Sequence, residues 1–325
     1  MRNRLKILAS LVGALALLPA TAPAQPVCTG GTARVVVPFP ASGASTDTLA
    51  RAIAQQLAEM WSQSVVVENR PGAGNVLGTQ AVVTAPPDGC TIGVVTSALS
   101  INPGLMPKRL PYDTINDIVP VTQLVSVPIG LFANPSLPVR NLPELLAYAK
   151  RQANGLTFGS PGVGTSSHMA GAMLASVSGA TFTHVPYKGA APAELDLVGG
   201  RIDLMLSILS SGAGSVKSGK IKLIAVATPE RDATFPDVAS ISETLPGYAF
   251  HSYLGIIAPK GTPPQLAQRL AADIGKALRS PAVKARLDAY GLVAVGSSPE
   301  TFGALVRRDI ERWAKIIKDN NITAD

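Results

Sequence analysis

The sequence has few charged side chains, few aromatic side chains and only two cysteines. Of its 325 residues, 15% are charged, 5% are aromatic and 46% are hydrophobic. This much apolar material supports a folded core, and so little charge argues against an intrinsically disordered chain. The composition predicts a globular protein of one or two domains.

Long hydrophobic runs are also missing after the first 24 residues, where no stretch approaches the roughly 20 apolar residues that a membrane-spanning helix needs. Residues 1–24 combine basic residues, a short apolar stretch from Ile7 to Leu18 and the small-x-small signature Ala22-Pro23-Ala24. These features are typical of a secretory signal peptide. We expect cleavage after Ala24, which removes 24 of 325 residues and leaves a soluble, exported chain of 301.

Concentrated positive charge is absent. The formal net charge is +7, and because residues 1–24 carry three basic residues and no acid, the mature chain retains +4. The remaining basic residues are interleaved with acids, as in Arg307-Arg308-Asp309. We therefore expect no nucleic-acid partner.

Motifs of common enzymes and metal sites are lacking. A phosphate-binding loop from Gly159 would need lysine where the chain has Thr165, and there is no Gly-x-Ser-x-Gly nucleophile elbow. The histidines His168, His184 and His251 do not have the spacing of metal ligands. We expect no catalytic residue, no metal and no cofactor; a periplasmic hydrolase or isomerase is the less favoured alternative.

The two cysteines, Cys28 and Cys90, would reach an oxidising compartment after export, where two thiols often pair. Cys28 precedes the first predicted strand and Cys90 opens the third, so a sheet that pairs these strands would bring them together. We expect one disulfide. Two unpaired cysteines are the alternative, and a redox-catalytic role lacks a Cys-x-x-Cys motif.

Apolar runs of strand length alternate with helical periodicity along the chain. Strands are predicted at residues 34–38, 65–68, 91–96, 120–127, 129–134, 156–160, 182–187, 202–207 and 221–227. Helices are predicted over 49–60, 142–151 and 168–177, and as two apolar stripes, one at Leu266, Leu270, Ile274 and Leu278 and one at Phe302, Val306, Ile310, Trp313 and Ile317. The predicted class is α/β with mainly parallel sheets flanked by helices.

Two features predict two lobes. A unit of strand, small-residue loop and amphipathic helix occurs at 34–61 and again at 156–179, and about 300 residues exceed what one hydrophobic core usually serves. Extended stretches near 123–128 and 248–257 are candidate crossings. The predicted division is lobe 1 at 25–124 and 254–325, and lobe 2 at 125–253.

Two loops, residues 38–47 and 159–168, carry the candidate binding chemistry. Each follows a strand and opens a helix, so each presents unpaired backbone N–H groups, hydroxyls and the positive end of a helix dipole. Neither loop contains lysine or arginine, so a carboxylate there would be held by neutral donors. Ordinary capped loops of an α/β fold are the alternative. Asp47 is interpreted most simply as fixing its own loop, and residues 69–74 as a tight surface turn.

A series of short motifs resembles the Bug-type, TctC-like solute receptors of tripartite tricarboxylate transporters. The motifs are Val36-Val37-Pro38-Phe39-Pro40 with Thr46-Asp47, Val66 to Gly74, Pro87-Asp88-Gly89, Ile101-Asn102-Pro103, Leu110-Pro111-Tyr112, Gly164-Thr165-Ser166-Ser167-His168, His184 to Gly189 and Ala258-Pro259. They cover essentially the whole mature chain. The resemblance implies a non-enzymatic, type II-like periplasmic binding protein of two lobes, expected as a monomer, that closes on a small organic acid.

The resemblance also implies the ligand contacts, which are two facing sets of carboxylate-binding residues. One set is Phe39, Ser42, Gly43, Ala44, Ser45, Thr46 and Asp47; the opposite set is Gly162, Gly164, Thr165, Ser166 and His168; further candidates are Ser97, Ala98, Tyr187, Lys188 and Ala190. The ligand would be a di- or tricarboxylate or an aromatic acid, delivered to the membrane permease subunits or, alternatively, presented to a sensor kinase ectodomain.

Two departures from the family pattern concern the ligand. The 38–47 loop is one residue longer than the usual form, so its backbone donors aim differently. Ser207-Ile208 stands where the family often has Asp-Asn, which makes an amino-acid ligand less attractive and favours a partly apolar acid.

Overall fold

The computed structural model describes residues 27–28, 31–41, 45–248, 250 and 252–323. The predicted signal peptide, residues 1–24, and His251 lie outside these ranges. Within them the chain forms two sheets, one of six strands and one of five.

Strands and helices alternate along most of the described chain. The strands are β1 (Thr32–Val37), β2 (Ser64–Asn69), β3 (Thr91–Thr96), β4 (Ile118–Ser126), β5 (Ile129–Ala133), β6 (Leu156–Ser160), β7 (Phe182–Pro186), β8 (Leu204–Ile208), β9 (Lys222–Val226), β10 (Tyr253–Pro259) and β11 (Val293–Ala294). The α-helices are α1 (Ser45–Trp61), α2 (Val76–Val83), α3 (Ala98–Leu105), α4 (Leu142–Ala149), α5 (Ser166–Ser178), α6 (Ala190–Val198), α7 (Leu209–Lys217), α8 (Ile241–Thr244), α9 (Pro264–Leu278), α10 (Pro281–Tyr290) and α11 (Pro299–Asp319). The predicted strands at 91–96 and 156–160 are confirmed with the same bounds.

The first sheet has the strand order β11-β4-β10-β3-β1-β2. Strand β1 pairs in parallel with β2 and β3, and β10 runs antiparallel to both β3 and β4. The second sheet has the order β7-β6-β8-β5-β9, in which β6 pairs in parallel with β7 and β8 while β5 opposes β8 and β9. The α/β class is confirmed. Strands β1–β4 share one direction and β6–β9 share one, whereas β5, β10 and β11 run against their sheets.

Both faces of the first sheet are covered, which explains why β3 and the second half of β1 are apolar without alternation. Successive side chains of a strand point to opposite faces. Val35 and Val37 pack in the cluster that contains Leu49 of α1, whereas Val36 packs in the cluster that contains Phe302 of α11. The second sheet shows the same arrangement, with alternate residues of β5 in two different clusters.

The chain crosses between the sheets at two neighbouring points. Strand β4 ends at Ser126 and β5 begins at Ile129, and β10 begins at Tyr253 after the return from the second sheet. The two crossings are joined by the Val127 N–H, which donates to the Ser252 carbonyl at 2.8 Å. Each sheet forms the centre of one lobe. The residues at which one lobe ends and the other begins remain a prediction.

Helix α11 packs on both lobes. Phe302 and Val306 belong to the cluster that contains Tyr253 of β10, whereas Trp313 and Ile317 belong to the cluster built on the second sheet. The helix begins as its sequence indicates, because the Thr301 N–H donates to the Ser298 hydroxyl at 3.2 Å. Its predicted apolar stripe is core packing, as is that of α9.

The Cys28–Cys90 disulfide is formed, with the two Cα atoms 4.6 Å apart. The argument from strand adjacency is therefore confirmed, since β1 and β3 are paired neighbours. Among the described residues, no helix combines the length and apolarity needed to cross a membrane.

Candidate functional site

The candidate site lies where the two sheets end against the crossings. Strands β1 and β3 of the first sheet, and β6, β7 and β8 of the second, finish at this edge, and helices α1, α3, α5, α6 and α7 begin there. A helix N-terminus carries unpaired N–H groups and a partial positive charge. The starts of these helices thus lie at the edges of the two sheets that meet the crossings, and such helix starts suit an anion.

The first predicted loop is described in part. Phe39 is half-buried and packs at the edge of the α1 face of the first sheet, and its carbonyl accepts the Asn69 amide at 2.9 Å. Thr46 is half-buried in the first turn of α1. The predicted contacts Ser42, Gly43 and Ala44 lie outside the described residues, and Ser45 is described only as the first residue of α1.

Asp47 is buried and holds a network beneath this loop. Arg51 donates to its carboxylate from Nε at 3.0 Å and from Nη2 at 3.1 Å. Asn69 donates to the same carboxylate at 2.7 Å and accepts from Arg51 at 2.8 Å. These contacts agree with the interpretation that Asp47 fixes its own loop. Asn69, which the sequence predicts to lie in a tight surface turn, joins the end of β2 to that loop.

The segment after β3 is also tied into the protein. The Ser97 hydroxyl is buried and accepts the Tyr253 N–H at 3.0 Å, at the start of the returning strand β10. The half-buried Ala98 donates its N–H to the Thr96 hydroxyl at 3.1 Å, and Thr96 also accepts from the Asn75 amide at 2.9 Å. Ser97 therefore anchors the beginning of α3 to a crossing, and Ala98 is nearer the surface.

The second predicted loop is built around two glycines with positive φ, Gly162 at 149° and Gly164 at 72°. Thr165 caps α5: its hydroxyl donates to the Gly162 carbonyl at 2.8 Å and accepts the His168 N–H at 3.2 Å. The Gly164 N–H donates to His168 Nδ1 at 3.1 Å. The polar atoms of the predicted contacts Thr165 and Gly164 are thus used to shape the loop.

Ser166 and Ser167 supply the backbone N–H groups of this loop that have no intrahelical acceptor. Both lie in the first turn of α5, where no preceding helical carbonyl accepts their N–H groups. Ser166 is half-buried and Ser167 is 3% exposed. Ser167 was not among the predicted contacts, although the run Ser166-Ser167 after a cap is a signal that could have suggested it.

A stacked pair of histidines lies beneath the second loop. The rings of His168 and His184 are nearly parallel, 9° apart, with centroids separated by 3.7 Å. Burial lowers the pKa of His168 to about 4, and burial together with the neighbouring His168 lowers the pKa of His184 to about 3. Both rings are neutral at physiological pH, so the second loop carries no formal charge.

The remaining predicted contacts follow β7. The half-buried Tyr187 donates its hydroxyl to Asp196 at 2.8 Å and its N–H to the Ser160 carbonyl at 3.0 Å. Burial is the main reason that the pKa of Tyr187 is raised. Lys188 is exposed, and Ala190 is half-buried at the first position of α6. Lys188 is the one lysine or arginine among all the predicted contacts.

The two lobes contact each other at the second loop and at α7. A Cβ atom on Gly164 would lie 2.5 Å from Cδ2 of Leu105, at the end of α3. Elsewhere the Ser210 hydroxyl of α7 donates to the Tyr290 carbonyl of α10 at 2.8 Å. The second loop is therefore shaped partly by a helix of the first lobe.

Other features of the described surface do not coincide with these loops. A hollow of about 410 Å³ lies beside Asn69 and Leu77, and one of about 300 Å³ lies beside Tyr112 and Ile310. Within the described ranges, no three His, Cys, Asp or Glu side chains group so as to ligate a metal. The two loops remain the candidate binding site because they present N–H and hydroxyl donors. Such donors suit an anion.

Comparison with known proteins gives a consistent result. Residues 49–322 match the model of the tripartite tricarboxylate transporter family receptor, TctC. Protein BugT of Bordetella pertussis is 32% identical over 302 residues, which cover 92% of this chain and 90% of BugT.

Solved structures are similar over nearly their whole length. Rpa4515 of R. palustris with adipate is 32% identical, with a TM-score of 0.74, over 90% of this chain and 98% of that one. MatC of Rhodopseudomonas palustris with bound malate is 32% identical, with a TM-score of 0.71, over 88% and 98%. The periplasmic binding protein BugD is 32% identical, with a TM-score of 0.71, over 90% and 99%.

Proposed function

Because the chain belongs to the tripartite tricarboxylate transporter receptor family, we propose that it captures a small organic carboxylate between its lobes and delivers it to the membrane permease of such a transporter. The ligand is a di- or tricarboxylate or an aromatic acid. The protein acts in the periplasm and performs no chemistry on the ligand. Two structures of relatives, one with adipate and one with malate, support an acid of this class.

The observation that carries the proposal is that two loops, each between a strand and the start of a helix and each beside a different sheet, contain no lysine or arginine. A hydrogen bond to a charged group contributes roughly 1.5 to 3 kcal/mol. Micromolar binding needs only about 8 kcal/mol net. A few N–H and hydroxyl donors at each end of the ligand are therefore sufficient to offset desolvation and lobe closure.

The residues that we assign to the ligand are those predicted from the sequence, with Ser167 added. The first lobe contributes residues 39 and 42–47 together with Ser97 and Ala98, and the second contributes Gly162, Gly164, Thr165, Ser166, His168, Tyr187, Lys188 and Ala190. Movement of lobe 2 (125–253) against lobe 1 (25–124 and 254–325) about the two crossings closes the gap.

Thermal shift and calorimetry with a panel of acids test the proposal. The panel contains adipate, malate, a tricarboxylate and an aromatic acid, and adipamide serves as an uncharged control of the same length as adipate. At 100 times its Kd, a ligand adds about 2.7 kcal/mol to the stability of the folded state. We expect at least one acid to raise the Tm by roughly 5 °C and adipamide to have no effect.

The proposal fails if no acid shifts the Tm while the protein turns over a substrate in a hydrolase or isomerase assay. Delivery to a permease is tested separately, by uptake of the identified acid in cells with and without the receptor. Equal uptake in both, together with a ligand-dependent response of a sensor kinase, would assign the protein to sensing.

A further inference from the structure

The histidine pair is connected to the backbone of the second loop at two points. His168 Nδ1 accepts the Gly164 N–H at 3.1 Å. His184 Nε2 lies 2.7 Å from the Ser160 hydroxyl, which also contacts the Gly162 carbonyl at 3.0 Å and accepts the Gly162 N–H at 3.2 Å. Gly164 is thus held directly by the His168 ring, and Gly162 is connected to the His184 ring through Ser160.

The connection continues to the start of α5. The Gly162 carbonyl that contacts Ser160 also accepts the hydroxyl of Thr165, the residue that caps the helix. Moving Gly162 would therefore move the cap and, with it, the open N–H groups of Ser166 and Ser167. His184 lies outside the loop itself, on β7, and contacts it through the Ser160 hydroxyl and through the stack with His168.

The contacts of the two stacked rings determine their protonation. His168 accepts a hydrogen bond at Nδ1, so the neutral ring carries its proton at Nε2. His184 covers one face of this ring at 3.7 Å, and Phe158 tilts against His184 with centroids 4.8 Å apart. A charge on either imidazole would stand in contact with the other ring, and His168 is also buried from water, so protonation of the pair is unfavourable.

We infer that His184 is a positioning residue for the carboxylate site: acting through Ser160, it holds Gly162 and the capped start of α5 in the form that binds the ligand. This inference rests on the proposed function and deepens it. It assigns to β7 a role that neither the loop motif nor the spacing of the histidines indicates.

Calorimetry with adipate and malate on a set of variants tests the inference. His184→Phe keeps a flat ring in the stack and removes the partner of Ser160, and Ser160→Ala removes the same contact from its other end. We expect each change to weaken binding about tenfold, the worth of one net hydrogen bond. Ser160→Ala also removes the two Gly162 contacts, and because His184 acts through the same hydroxyl, the double variant should lose no more affinity than Ser160→Ala alone.

Rescue separates positioning from general damage. His184→Gln can place its terminal amide near the former Nε2 position, so it should restore most of the affinity, whereas His184→Phe should not. Thr183→Val is the matched control, an exposed neighbour on the same strand, and should bind as the wild type does. Circular dichroism and thermal melting establish that each variant is folded.

The outcomes are distinguishable. If folded His184→Phe binds the acid as tightly as the wild type, or if the losses in the double variant multiply, the inference is wrong and the proposed function stands. If the wild type binds no acid of the panel, both the proposed function and this inference are wrong.

Discussion

Stability against acid should depend on His168. Burial lowers the pKa of His168 to about 4 in the folded protein, while in the unfolded chain it returns to its ordinary value of about 6.5. A base with a lowered pKa in the folded state favours folding above pH 6.5, where the ring is neutral in both states. This stability is lost as the pH falls from 6.5 towards 4, because only the unfolded chain takes up the proton.

The size of the effect follows from the two pKa values. At pH 5 the unfolded ring is almost fully protonated and the folded ring almost fully neutral. Proton linkage then favours unfolding by about 2 kcal/mol relative to pH 8. This is a large fraction of the 5 to 15 kcal/mol that typically separates folded from unfolded states. His184 adds to the loss in the same direction, since its pKa is lowered to about 3.

Urea unfolding at pH 7.5 and pH 5.0 measures the loss, with His168→Asn as the comparison. Asparagine can place an acceptor near the position of Nδ1 and so keep the Gly164 contact, but it does not titrate. All other titrating groups are common to both proteins. We expect the difference in unfolding free energy between the two pH values to be about 2 kcal/mol smaller in the variant. Equal pH dependence in the two proteins would show that His168 is not held neutral by burial.

Three further changes test other parts of the structure. Asn69→Ala removes a donor from the buried Asp47 carboxylate, so it should lower the unfolding free energy by about 1 to 3 kcal/mol in urea titrations; an unchanged midpoint would contradict the network. Gly164→Ala places a Cβ in a left-handed backbone and against Leu105, so it should cost about 1 to 2 kcal/mol and weaken adipate binding in calorimetry. Wild-type affinity would remove this loop from the site. Cys90→Ser should lower stability by up to about 4 kcal/mol, and a reductant should reproduce the loss in the wild type but not in the variant.

Strand positions could be predicted because both sheets are covered on both faces. A strand buried on two sides is a continuous apolar run, and Thr91–Thr96 stands out from its polar surroundings for that reason. The disulfide could be predicted from export to an oxidising compartment together with the adjacency of the first and third strands. Strand direction was harder to obtain from the sequence, since an apolar run such as β5 or β10 looks the same whichever way it enters the sheet.

The polar networks of the site could not be predicted because they depend on register. The parallel pairing of β1 and β2 sets Val37 opposite Asn69, which brings the Asn69 amide beside Asp47. Likewise the pairing of β6 and β7 sets Phe158 opposite His184 and places the His184 ring beneath a loop 16 residues earlier in the chain. Loop motifs indicate where a ligand could bind, whereas the residues that hold the loops come from neighbouring strands.

The absence of lysine and arginine from the two loops determines how such a site selects its ligand. A lysine or arginine attracts any anion over several ångströms, and salt screens that attraction. Fixed N–H groups instead require an acceptor at close range and favourable angle. The one cation among the predicted contacts, Lys188, is exposed and therefore strongly screened. For the proposed dicarboxylate ligand, we expect selectivity to come from the distance between its two carboxylate groups relative to the distance between the closed loops. A series of dicarboxylates of increasing length should show a single optimum in affinity, and the position of that optimum should be insensitive to ionic strength.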